Sequence, residues 1–212
     1  MDLSATSLAD QIPYYLTHED KVGLVAALKN WPNRIEYYIR RWPNEVLQGD
    51  AWTKLPVRKF ETGELGHIDG IVLSNSCSVD PANRRDVPLK TTVAPLVDLG
   101  AYIEALKRAG VKTDQLEGKL AMIKEQRVHN IFYLPAGGGI KTDQIALLDD
   151  LYSFPSSFLD PKTESKNEKL VTLSMVGFYL FVFKLSVHFC RLHENVERKD
   201  EIVAEAAIKR AT

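Results

Sequence analysis

Residues 70–77, Gly70-Ile71-Val72-Leu73-Ser74-Asn75-Ser76-Cys77, run an apolar segment straight into a polar turn. The compact run Ile71-Val72-Leu73, bounded by a glycine and by a Ser/Asn cluster, reads as the buried end of a strand over 68–73. Such a strand exit is where binding and catalytic groups commonly emerge. Upstream, Leu55-Pro56-Val57-Arg58-Lys59-Phe60 alternates as a second strand does, and 61–64 reads as a turn. Downstream, the Asn-, Asp-, Ser- and Pro-rich stretch 74–87 is a loop. Residues 90–96 are a further strand, with Thr91-Thr92-Val93 β-branched and Pro95 at the exit, where a lost amide donor costs least.

Working outward, Leu99–Ala109 and Thr113–Gln126 read as two helices split by Gly110. Ile131-Phe132-Tyr133-Leu134 is a compact strand closed by Pro135. The glycines at 137–139 read as a flexible turn leading to a strand around 145–148. A phosphate loop is not expected there, because Ile140 separates the glycines from Lys141. Residues 160–169 are a polar loop, 173–194 a helix, and 197–209 a charged terminal helix. At the N-terminus, His18–Trp31 and Asn33–Arg41 are helical candidates stopped by Pro32 and Pro43, with Trp31 and Trp42 expected to wedge this layer onto the body.

The expected fold is a single α+β domain over 1–212. It comprises an N-terminal helical segment (1–45), a sheet-containing body with two inserted helices (46–160) and C-terminal helices (170–212). The sheet is expected to be small and strongly bent, an SH3-like β-barrel or sheet flanked by helices at both ends.

Composition narrows function less than fold. Of 212 residues, 27 are Lys or Arg and 28 are Asp or Glu, a formal net charge of −1, so a broadly basic nucleic-acid binder is excluded. The start Met1-Asp2-Leu3-Ser4-Ala5 lacks the basic and apolar regions of a signal peptide. With only Cys77 and Cys190 as cysteines, the expected compartment is cytoplasmic and both thiols reduced. The apolar run beginning at Leu170 reaches Lys184 after 14 residues, short of the ~20 a spanning helix needs, so a core helix is expected and a membrane partner is not. Its segment 178–183 is apolar on every side and must be covered by the sheet or by a partner chain.

Four groups carry candidate chemistry. Cys77 is a candidate nucleophile if His67, His129 or His188 approaches it; otherwise it packs half-buried beneath a turn held by Asn75 and Asp80. Arg84 and Arg85, with Lys90 after them, form a local basic cluster suited to phosphate or carboxylate, with Asn75 as a further ligand-binding candidate. His188, Cys190, His193 and Glu194 invite a zinc reading, but their helical spacing does not converge, so no metal and no cofactor is expected. In a metal-free ribonuclease mechanism, Arg84 and Arg85 would stabilise the pentacoordinate phosphate and His67 would act as base.

The blocks Gly70–Cys77, Ala94-Pro95-Leu96, Ile131–Pro135 and Leu173–Phe181 with Lys184–Arg191 resemble a family of uncharacterised bacterial proteins, over roughly 46–194. In that family an acidic residue follows the cysteine, where this chain has Ser78. More distantly, Val72-Leu73-Ser74 and Ala94-Pro95-Leu96-Val97 are similar to blocks of the MazF/PemK toxins, which are SH3-like barrels and ribonucleases. The catalytic arginine and hydroxyl positions of those toxins are not matched. The resemblance implies a bacterial protein of toxin or defence type that binds or cleaves RNA through the loop 74–90. The reading from another class is a non-catalytic protein-interaction or regulatory module, with a protein partner or a second copy of the chain.

Overall fold

The computed structural model of the chain describes residues 35–59, 62–79, 88–159 and 167–189. Among the described residues there are eight strands: β1 (Tyr38–Ile39), β2 (Ala51–Arg58), β3 (Leu65–Val72), β4 (Lys90–Asp98), β5 (Ile131–Leu134), β6 (Gln144–Leu147), β7 (Tyr152–Pro155) and β8 (Lys169–Leu173). The helices are the single turn α1 (Ser76–Val79), then α2 (Leu99–Arg108), α3 (Thr113–Lys124) and α4 (Met175–Phe189), with a 3-10 turn at Ser156–Leu159. The architecture is α+β around one curled antiparallel sheet, a half-barrel of order β1-β8-β2-β3-β4-β6-β5, with β7 also on β4. The helix candidates at 18–31 and 197–209 lie outside the described residues.

The sheet curls because its long central strand serves two partners in succession along one edge. β4 pairs with β7 through Lys90–Val93 and with β6 through Leu96–Asp98, so β6 and β7 are two halves of one strand interrupted at 148–151. This interruption explains a departure from expectation, since β4 continues to Asp98, two residues past the expected end at Leu96. The Leu73 N–H donates to the Thr92 carbonyl, so ladder alternation turns Ala94 toward β3 and Pro95 toward the β6/β7 side. The donor that proline lacks therefore falls at the gap in the neighbouring strand, where no ladder bond is lost.

Successive residues feed different cores. Ile71 and Ala94 join Phe132, Leu134, Leu173, Leu180 and Phe181 under α4, while Val72 and Val93 join Trp52, Leu55, Phe154 and Leu159 on the opposite face. β5 is buried on both faces, with Phe132 and Leu134 against α4 and Ile131 and Tyr133 against α2 and α3. That double burial is why 131–134 is apolar throughout rather than alternating.

Three further expectations are corrected. Residues 38–39 are an edge strand paired with Leu173 and Thr172, not part of a helix over 33–41; Tyr37 enters the core and Tyr38 packs half-buried against it. Trp42 does not wedge into the body but is 53% exposed at a left-handed φ of 61°. The turn at 137–139 is packed rather than flexible: Gly137 and Ile140 bridge each other, and a Cβ on Gly139 would collide with the Leu170 carbonyl. Among the described residues, no helix is long and apolar enough to cross a membrane.

Candidate functional site

A groove of about 850 Å³ opens on one side of the sheet, within the range of ligand sites. Three segments distant in sequence build it: 35–43 with β1, the turn at 135–139, and 168–172 of β8. Tyr38 ties two of them together by donating its hydroxyl to the Pro135 carbonyl at 2.7 Å. Gly138 and Gly139 let the turn press against Val171 and Leu170, where any side chain would clash. The walls are therefore fixed to one another by a hydrogen bond and by close packing.

Charges of both signs line the groove: Arg40 and Arg41 on one wall, Lys169 on the other, with Glu36 and Glu168 beside them. Lys169 is anchored from behind. Its Nζ lies 2.7 Å from Oδ2 of the fully buried Asp50, donates to the Trp42 carbonyl at 2.7 Å, and sits 5.6 Å from the Trp52 ring centre. Burial pushes the Asp50 carboxyl up from its ordinary value, opposed by Lys169 and by the Leu47 N–H. The Tyr38 hydroxyl is also pushed well up, first by burial and then by the neighbouring Tyr37, Tyr133 and Asp143.

A second polar constellation lies under α4. Lys184, buried in an otherwise apolar helix, donates to the carbonyls of Gln126 and Val128, the latter at 2.8 Å. These carbonyls follow the C-terminus of α3, where a cation is favoured. Burial lowers the Lys184 ammonium to about 8. One turn on, His188 lies 3.4 Å from Asp149 and stacks with His129 at 6.0 Å between ring centres, while Asn130 bonds Asp149. Among the described residues, no group of three His, Cys, Asp or Glu side chains is arranged to hold a metal.

Gln126 carries the adjoining edge of the sheet. Its amide accepts from the Tyr133 N–H at 3.0 Å and donates to the Tyr133 carbonyl at 2.7 Å, taking the place of a neighbouring strand along β5. It also meets the Tyr37 hydroxyl, which joins the β5 edge to the chain entering β1.

The residues singled out from sequence divide into two groups. Asn75, Cys77 and Lys90 come to the same end of the sheet, because Leu73 and Ser74 both bond the backbone of Thr92, two residues after Lys90. The turn is firmly held: Asn75 Oδ1 accepts from the Cys77 N–H at 2.9 Å, and Ser76 Oγ accepts from the Gln48 N–H at 2.9 Å. Cys77 is exposed rather than half-buried. His67 is not part of this group. It pairs with Pro56 near the start of β3, and the five residues to Val72 span roughly 16 Å of strand. Arg84, Arg85 and Asp80 lie outside the described residues, as do Cys190, His193 and Glu194.

Sequence reading missed Tyr38, Arg40, Arg41 and Lys169 as partners in one groove. The pair Arg40-Arg41 beside Trp42 was the one local signal, and nothing in its spacing pointed to Lys169, 128 positions beyond Arg41. No protein-family model matches this chain, and no curated protein sequence is significantly similar to it.

Proposed function

We propose that this chain is a non-catalytic interaction module that takes an extended peptide segment along β1, in the groove between that strand and the turn at 135–139. The observation that carries this reading is a terminal strand beside a preformed groove lined by charges of both signs. Arg40 and Arg41 are offset by Glu36 and Glu168 on the lining, and Lys169 is paired with the buried Asp50 behind it. A polyanion needs a surplus of cations to release its counterions, whereas a peptide with side chains of both signs is matched by a balanced wall. Among the described residues no strand pairs with the outer edge of β1. The Ser174 N–H donates to the Tyr37 carbonyl, so alternation turns the backbone of Tyr38 and Arg40 outward, where an added strand would bond. In the same reading the curled sheet is an SH3-like half-barrel of the kind the sequence blocks resemble.

The test is selection from a random eight-residue peptide library, with affinities of the selected peptides measured by fluorescence polarisation. Arg40→Pro deletes an outward N–H without touching the β1–β8 ladder, and the expected result is at least a tenfold loss of affinity at an unchanged melting temperature. No enriched peptide, or enriched peptides indifferent to Arg40→Pro, would overturn the reading.

The second reading places RNA binding or cleavage, of toxin or defence type, at the loop 74–90. It is favoured by the firmly held turn that gathers Asn75, exposed Cys77 and Lys90 at one end of the sheet. Total RNA incubated with the protein in chelator separates the two: binding or cleavage abolished by Arg84→Ala with Arg85→Ala supports the loop, and an unchanged RNA profile removes it.

A further inference from the structure

The charges of the groove stand in a definite order along it. Glu36, Arg40, Arg41 and Glu168 all line it and are all exposed, and among the described residues none of the four is in an ion pair. Lys169 differs, since the buried Asp50 already holds its ammonium. Four residues separate Glu36 from Arg40, about 13 Å of extended chain at ~3.3 Å per residue. That exceeds the screening length of about 10 Å at 0.1 M salt, so an occupant meets two signs at two places rather than their sum. Glu168 leaves this order intact. Carrying the Ile39–Thr172 register onward puts it level with Pro43, past the arginines and away from Glu36.

We infer that the groove reads the order of charges on its peptide, taking an acidic side chain against Arg40 and, four residues later in the peptide, a basic one against Glu36. This rests on the reading of β1 as a peptide-binding edge, and adds which peptide it takes and which way that peptide runs. Direction follows from the backbone. Tyr38 and Arg40 are the residues whose N–H and C=O groups turn outward. An antiparallel partner exchanges two bonds with each, four in all, over three of its own residues, whereas a parallel partner spreads the same four over five. On so short an edge the compact arrangement is favoured, and every pairing in the described sheet is antiparallel. Running antiparallel, the peptide passes Arg40 first, Tyr38 two residues later and Glu36 two residues after that. The order is therefore Asp/Glu-x-x-x-Lys/Arg, with the middle residue beside Tyr38. The same charges in reverse order bring like against like at both positions.

Exposed ion pairs are individually weak. Two of them, gained in one order and turned to repulsion in the other, set the expected preference at about tenfold at low salt, fading as salt screens them. Arg41, next to Arg40, strengthens the positive end.

The experiment uses two pools of eight-residue peptides, acetylated and amidated so that no terminal charge contributes. One pool fixes Asp at its second position and Lys at its sixth, the other exchanges the two, and the remaining positions are the same mixture of uncharged residues. Binding of each fluorescent pool to the full chain is measured by polarisation at about 50 and 500 mM salt. The Asp-first pool is expected to bind about tenfold more tightly at the lower salt. Glu36→Arg combined with Arg40→Glu should invert that preference at an unchanged melting temperature. Glu36→Gln and Arg40→Gln, taken singly, should each reduce it to about threefold. All of these variants keep the backbone N–H of residue 40, which separates the side-chain charges from the strand pairing that Arg40→Pro removes. Equal binding of the two pools, a preference for the Lys-first order, or a preference that the variants leave unmoved overturns the inference while leaving peptide binding in place. If neither pool binds, the peptide reading falls and the inference falls with it.

Discussion

Replacing Gln126 by Leu tests how the sheet edge is held. The side chain satisfies both backbone groups of Tyr133, at 3.0 and 2.7 Å, in a region where Gln126 is 6% and Tyr133 8% exposed. Leucine is of similar volume and bonds neither. Each buried backbone group left without a partner costs ~1–3 kcal/mol, partly offset by added apolar burial, so a net loss of about 3 kcal/mol is expected. Gln126 sits at φ 56°, and leucine bears the same left-handed strain, so backbone conformation cancels from the comparison. For a chain of this length the loss corresponds to a fall of roughly 6–12 °C in melting temperature. Urea unfolding gives the free energies, and amide exchange gives the local consequence: the Tyr133 N–H, protected in the parent, should exchange rapidly in the leucine variant. A loss below 1 kcal/mol with the Tyr133 amide still protected would refute the idea that a side chain stands in for a strand here.

Lys184 makes stability depend on pH in a defined window. Its folded value of about 8 lies below the ordinary 10.5, so between those values the unfolded chain binds the extra proton and stability rises with pH, by up to ~3 kcal/mol for this one group. The gap in unfolding free energy between the parent and Lys184→Met should therefore change across pH 8–10.5, whereas parallel curves would contradict the assignment. Two glycines should respond in opposite directions to alanine. At Gly139 the new Cβ meets the backbone of Leu170, which cannot yield cheaply, and a loss of about 2–3 kcal/mol in urea unfolding is expected. At Gly118, inside α3 with nothing within 4 Å, alanine should add ~0.5–1 kcal/mol.

Where one local pattern decided an element, the sequence was readable. Ile131–Leu134 has the limits expected, and the two helices after Asp98 start where they were expected to, the first capped by the Asp98 carboxylate on the Ala101 N–H. Where two elements share one apolar run, it was not. Lys169–Leu173 is a strand and Met175–Phe189 a helix, yet their hydrophobicity is continuous, and the switch rests on Ser174, whose Oγ accepts from the Gly177 N–H at 3.1 Å. β1 failed for a different reason. Ile35, Tyr38 and Ile39 have helical spacing, but pairing with β8 overrode it, and no feature of 33–41 announces a partner at 172–173. The groove was illegible for the same cause, since its three walls meet only after the sheet has curled. Of the candidates at the end of β3, Asn75, Cys77 and Lys90 lie at one end of the sheet because one strand exit and one strand entry adjoin. His67 was grouped with them by sequence proximity alone, which an extended strand turns into distance.

The fastening of Tyr38 to Pro135 and the seating of Gly139 on Leu170 give the groove a mechanical character. Its two walls belong to opposite margins of the sheet, so widening it means prising those margins apart rather than swinging a loop aside. Such a slot meets its occupant at a set width. Little ordering is left to be done on binding, and selection falls on the breadth of the arriving segment before its chemistry is read. It also makes occupancy and resistance to heat report on each other. A segment that fills the slot bridges the margins where the half-barrel is open, and a substitution that loosens those margins alters the gauge against which every partner is measured.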